Sequence, residues 1–218
     1  KKEFAGKGRK RPLIDLSIER LHLDVNNPRL PEDVQGKNED EVLEALKKGF
    51  DLEELAYSLS ENGYFDEEPL VAIPKVLPKE FKNKSSEILN EDKDFISYIN
   101  KPTTEFVVIE GNRRIATIKF LLSEDLQKKF NIRTWPTIST KVKSDIEELP
   151  VIIYPERDGV LQYLGVRHIS GIKKWESFAK ARYIAYLVKQ GFSIDQIQAR
   201  VGDRSNSVRK IYFCYRLV

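Results

Sequence analysis

One cysteine, Cys214, and two histidines, His22 and His168, are the full complement of those residues in 218 positions, and methionine is absent. A lone cysteine excludes an internal disulfide and a thiolate cluster for zinc. Both exclusions fit a reducing, cytoplasmic setting. Two histidines exclude a site built from three or more. No apolar run is long enough to span a membrane, and no signal-peptide core stands out. With methionine missing even at position 1, the expectation is a trimmed segment that has also lost modified methionines. Some helical spacings would then be off by one.

Net charge is only +3, but it is unevenly spread. Residues 1–12 carry six Lys/Arg against one acid, residues 13–166 carry 20 against 30, and residues 167–218 carry 11 against 3. An acidic body with a basic arm and a basic module is the charge pattern of a nucleic-acid contact. A solvated basic face gives the same numbers. Three parts are expected: a basic, disordered arm at 1–12, a mixed domain at 13–166 and a helical module at 167–218.

Apolar periodicity supplies the elements. Ile14, Leu16 and Ile18 alternate with Asp15, Ser17 and Glu19, as in a strand. A turn follows at 26–29, then a helix over about 40–48 stopped by Gly49. Asp51-Leu-Glu-Glu54 has capping-box spacing. Its helix carries Leu52, Leu55, Ala56 and Leu59 and ends at Gly63. Further strands are expected at 68–73 and 149–154. Residues 75–104 read as a polar surface insertion with one short helix near 94–99. A second irregular segment surrounds Trp135-Pro136, and a helix is expected at 159–164.

Residues 106–122 are the most informative stretch. Phe106 to Glu110 reads as a buried strand, Gly111 as a turn, and Asn112-Arg113-Arg114 as the opening of a helix with Ile115, Ile118 and Leu122 on one side. The first N–H groups of a helix have no intrahelical partner and can bind an anion. Two guanidiniums beside them match phosphate geometry. The stretch is therefore expected to bind phosphate, from a nucleotide or a nucleic acid.

After residue 166 the pattern is all helical. A helix over 174–189 places Phe178, Ala181, Ala185 and Val188 on its buried side. Ser193 and Gln196 have capping-box spacing, and the helix they start carries Ile194, Ile197 and Val201. A turn at 202–205 leads to a third helix over 206–217. Short helix, glycine-containing turn and basic helix form a helix-turn-helix pattern. Its second helix would lie in the DNA major groove with Ser205, Asn206, Ser207, Arg209 and Lys210 at base edges and phosphates. A plain helical hairpin with a basic face is the competing reading.

The order of these motifs resembles the ParB/sulfiredoxin-like superfamily, in particular the nucleotide-binding and central helix-turn-helix parts of the partition proteins called ParB. The matching residues are 14–18 with Asn27-Pro28, 55–59 with Gly63 and 68–73, Ile109-Glu-Gly-Asn-Arg-Arg-Ile-Ala116, 149–153, and the helix-turn-helix at 191–202. The resemblance implies an α+β fold, a mixed-sheet domain followed by the all-helical module. It also implies binding of an NTP, CTP or ATP, with Mg²⁺, coupled to DNA binding in a homodimer. The family's Gly-Glu-Arg-Arg box falls on Gly111, Asn112, Arg113 and Arg114, with Asn112 in place of glutamate. Its second motif, Glu-Asn-x-x-Arg, falls on 167–171, where Arg167 and His168 suit phosphate but not magnesium. Glu68 completes the nucleotide-binding set.

Two other functions fit the same fold. A nuclease or phosphotransferase, or an NTPase acting on the bound nucleotide, would draw an acid or base from Glu110 or His168. A non-catalytic adaptor of a defence or mobile-element system would use the arginines to hold the fold. The cysteine chemistry of sulfiredoxin is not expected, because position 112 is asparagine.

Overall fold

The alternation that begins at Ile14 folds as β1 (Leu13–Ser17), which buries Leu16. It breaks off sooner than the pattern does. Ile18–Arg20 is a 3-10 turn, and Leu21–Leu23 resumes as β2, a strand too short to leave a periodic signal. β3 (Leu70–Pro74), β4 (Phe106–Glu110) and β5 (Glu148–Ile153) complete one sheet of order β1-β5-β3-β4-β2. β1 with β5 and β3 with β4 run antiparallel; β5 with β3 and β4 with β2 run parallel. This computed structural model describes residues 11–82, 84–170, 177–201, 203 and 206–217. The expected basic arm, but for its last two residues, lies outside them.

The two edge strands are consecutive in sequence. Five strands at about 4.8 Å spacing would put the edges of a flat sheet about 19 Å apart. A three-residue 3-10 turn advances only about 6 Å. The sheet is therefore curled, with its rims brought towards each other.

The chain divides into two compact units, residues 1–24 with 39–157, and residues 25–38 with 158–218. The boundary precedes the one expected at 166, and residues 25–38 join the second unit. The reason is visible in α9 (Arg157–Gly165). It buries Val160, Leu161 and Leu164, and the Tyr183 hydroxyl donates to the Leu161 carbonyl at 2.5 Å.

In the first unit, α1 (Glu39–Gly49) places Glu39, Asp40 and Glu41 in its first turn and Lys47 and Lys48 in its last. Both choices complement the helix dipole. α2 (Leu52–Asn62) buries Leu52, Ala56 and Leu59. The capping box expected at Asp51 does not form. Asp51 is left-handed, at φ 46°, and its side chain makes no cap bond.

The insertion at 75–104 is more than a polar surface segment. It holds α3 (Lys79–Lys82), α4 (Ser86–Leu89) and α5 (Lys93–Asn100), which bury Phe81, Leu89, Phe95 and Ile99. Phe81 and Phe95 meet edge to face, 5.4 Å apart. Arg20 fastens this subcore by donating to the carbonyls of Ile99, Lys101 and Thr104 at the end of α5. After α6 (Asn112–Leu122), the segment around Trp135-Pro136, residues 130–139, is irregular as expected, and short helices flank it. α7 (Glu124–Lys129) and α8 (Thr140–Glu147) are each capped by a serine, Ser123 and Ser139.

In the second unit, α10 (Ser177–Lys189) buries Ala181, Arg182, Tyr183, Ile184 and Leu187. The expected face is rotated: Phe178 is 60% exposed and rests on the Tyr215 ring at 5.8 Å. α11 (Ile194–Val201) does open with the reciprocal capping box. Ser193 Oγ accepts from Gln196 N at 3.2 Å, and Gln196 Oε1 accepts from Ser193 N at 2.8 Å. α12 (Ser207–Arg216) follows.

Candidate functional site

β4 ends at Glu110 and α6 begins at Asn112, so one residue must reverse the chain. Gly111 does so at φ +107°, where side chains are strained. A β-carbon there would lie 2.3 Å from Leu70 Cδ2. The turn is thus set by both backbone conformation and the closeness of β3.

Asn112 is buried, and its amide is fully engaged. Its Oδ1 accepts from the Asp24 N–H at 2.8 Å, and its Nδ2 donates to the Val108 carbonyl at 2.7 Å. It holds the turn against β4 and the end of β2, so the side chain expected to contact the ligand is engaged within the fold.

Both arginines are half-buried. Arg113 Nη2 donates to the Asp51 carbonyl at 2.6 Å, and its Nε is buried with no partner among the described residues. The left-handed Asp51 that fails as a cap therefore serves as an acceptor. Arg114 Nη1 donates to the Tyr64 hydroxyl at 2.5 Å and to the Glu68 carbonyl. Its guanidinium stands over the Tyr64 ring at 5.5 Å. Tyr64 in turn donates to the Glu68 carbonyl at 2.8 Å. Burial pushes the Tyr64 hydroxyl up to about 12, with Arg114 opposing and Glu68 and Asp66 assisting. Glu68 thus reaches Arg114 through its backbone. Tyr64 was missed because an aromatic after a helix-ending glycine carries no functional pattern. The same holds for Asp24, which Asn112 ties to the turn.

Glu110 is half-buried at the end of β4. Arg167 and His168 belong to the second unit, on a π-turn, Val166–Ser170, that extends α9. His168 is only 3% exposed, and the Arg167 guanidinium lies over the Tyr163 ring at 5.7 Å. Among the described residues, no three His, Cys, Asp or Glu side chains converge as a metal site.

The expected DNA-reading residues begin with Ser205, which lies outside the described residues. Asn206 is left-handed at φ 56°, and its Oδ1 accepts from Gln198 Nε2 at 2.8 Å, linking α11 to α12. Val208 is fully buried, and its N–H donates to Asp203 Oδ2 at 2.8 Å. This anchor turns Arg209 and Lys210 outward, with Ser207 half-buried. Arg209 is shared with Asp195, at 2.5 Å.

Comparison of the chain with protein-family models, curated proteins and solved structures finds no match.

Proposed function

We propose that the chain is a ParB-like DNA-binding protein that takes a nucleoside triphosphate, CTP or ATP, at the Gly111–Arg114 turn and couples it to DNA held by α11 and α12. One observation carries the nucleotide half. Arg113 and Arg114 are positioned by carbonyl and hydroxyl oxygens. Those bonds leave both positive charges available beside the N-terminal N–H groups of an eleven-residue helix. In this reading Asn112 shapes the turn, while the backbone at 112–114 and the two guanidiniums meet the phosphates. Any accompanying Mg²⁺ would be held chiefly by phosphate oxygens. The curled mixed sheet is consistent with the ParB/sulfiredoxin-like fold.

The DNA half rests on the basic helix α12 and its outward Arg209 and Lys210. Coupling is supported by a short chain of bonds. Asn112 holds Asp24, and Asp24 holds Arg157. A ligand at the turn would act one residue from the two points where the chain leaves the first unit.

Calorimetry with each of the four NTPs and Mg²⁺, with and without duplex DNA, tests the proposal. One NTP is expected to bind, and its binding to be lost in Arg113→Ala/Arg114→Ala. No binding by any of the four, or unchanged binding by the double variant, sinks the nucleotide half.

A second reading has its own observation. Both arginines brace α6 against the carbonyls of Asp51 and Glu68, as structural struts would. The chain would then be a non-catalytic adaptor. In that case Arg113→Ala unfolds the domain and no nucleotide protects it.

A further inference from the structure

α12 carries three cations, Arg209, Lys210 and Arg216, and no acid. It packs by one side only. Val208 is fully buried, and Ile211, Tyr212 and Tyr215 are half-buried. Successive residues turn by about 100° around a helix. The opposite side therefore presents Arg209, Phe213 and Arg216 in one row, with Lys210 and Leu217 beside it, all of them exposed. In that projection Phe213 falls between Arg209 and Lys210. The centre of the basic face is thus an aromatic ring.

Phe213 is 55% exposed. Its ring lies 6.3 Å from that of Tyr212, on its own helix. Among the described residues it makes no ring contact with another helix. A face that met only water or only phosphates would gain nothing from an apolar ring at its centre. The ring suits an apolar feature on an otherwise anionic partner. The major groove of DNA offers one, the thymine 5-methyl group, among base edges that otherwise carry hydrogen-bonding groups. Helical side chains lean towards the N-terminus. The Phe213 ring is therefore carried towards the first turn of α12, the end that meets base edges in a helix-turn-helix. An anionic membrane suits the face less well. A helix lying on lipid buries a continuous apolar face, and here Arg209 and Arg216 stand about one turn to either side of the ring.

We propose that Phe213 reads thymine in the major groove, packing its ring on the 5-methyl group while Arg209 and Lys210 neutralise phosphates. The proposal rests on the reading of α12 as the DNA-contacting helix, and it names the base that helix selects.

The test begins with duplexes selected from a random library on the full chain. In the preferred duplex each thymine is replaced in turn by uracil, which pairs identically and lacks only the methyl group. Anisotropy titrations then compare the wild type with Phe213→Ala and Phe213→Gln, after thermal unfolding has shown that these exposed substitutions leave the fold intact. At one thymine or more, uracil should weaken wild-type binding about fourfold, the worth of one buried methyl group. The same replacement should leave both variants unaffected. Their salt slope should equal that of the wild type, because no charge is removed. A preferred duplex without thymine, or uracil penalties that are the same in wild type and variants, overturns the proposal and leaves DNA binding in place. Failure of the wild type to bind any duplex removes the DNA reading itself, and the proposal with it. Binding to phosphatidylserine vesicles that is lost in Phe213→Ala, with DNA affinity unchanged, assigns the face to a membrane and also overturns it.

Discussion

Asp24 and Arg157 stand 133 residues apart in sequence and form a two-pronged ion pair, with Nη2 2.5 Å from Oδ1 and Nη1 2.9 Å from Oδ2. Asp24 is 1% exposed. The two residues are also the last of the first unit's two segments. One buried pair therefore fastens both points at which the chain leaves that unit. Removing either member takes away charge-assisted hydrogen bonds on a carboxylate that is out of water, at about 1.5–3 kcal/mol. Asp24→Ala and Arg157→Ala should each lower stability by that order in urea unfolding. The double variant should lose clearly less than the sum.

Asn112 gives a second prediction. Asn112→Ala removes the bonds to the Asp24 N–H and the Val108 carbonyl, at about 0.5–1.5 kcal/mol for each. Asn112→Asp is nearly isosteric but turns a carboxylate oxygen towards a carbonyl, so it should destabilise at least as much. If urea midpoints show Asn112→Asp at wild-type stability, the amide has no structural role.

Tyr64 sets a pH dependence. Its ordinary value is near 10, and in the folded unit it is about 12. The folded state thus favours the protonated hydroxyl. Its contribution is complete below pH 10 and is lost as pH rises from 10 to 12, because the unfolded chain ionises first. Two pH units correspond to about 2–3 kcal/mol. Other tyrosines titrate in the same window, so the measurement is a difference. Between pH 10 and 12, Tyr64→Phe should lose less stability than the wild type by about that amount.

Much of this was legible in the sequence, and the failures have a common cause. Strand, Gly111 and helix fall where residues 106–122 place them, because buried periodicity and a turn glycine are local signals. The Ser193–Gln196 capping box is local too, and it forms. Asp51 has the same spacing but answers to a residue 62 positions away, Arg113, which uses its carbonyl. Asn112 reads as a ligand residue until Asp24 is known to lie against it. The insertion at 75–104 reads as polar because Phe81 and Phe95 are isolated in sequence and meet only in space. Phe178 misleads in the opposite direction, as an apolar residue on the exposed side of α10.

The proposed DNA contact by α12 would have a thermodynamic signature. Each phosphate neutralised contributes about −0.9 to the slope of log K against log salt. Lys210→Ala should therefore flatten the slope by about 0.9, uniformly across DNA sequences. On the proposed reading Arg209, which pairs with Asp195, would divide its charge between DNA and that carboxylate, so Asp195→Asn should tighten binding and steepen the slope. A slope indifferent to all these changes places the DNA elsewhere.

The curled sheet has a consequence for how the chain is made. Both of its rims come from residues 13–23, yet β2 pairs with Phe106–Val108 and β1 with residues 148–152. On the ribosome both rims precede the other strands; β2 waits for β4, and β1 waits for β5, the last strand of the sheet. Such distant pairing is slow, and unpaired strands invite association in the interval. β1 and β2 total only eight residues, broken by a 3-10 turn that carries Glu19 and Arg20. A segment so short and so charged offers little edge to a neighbouring chain during that wait.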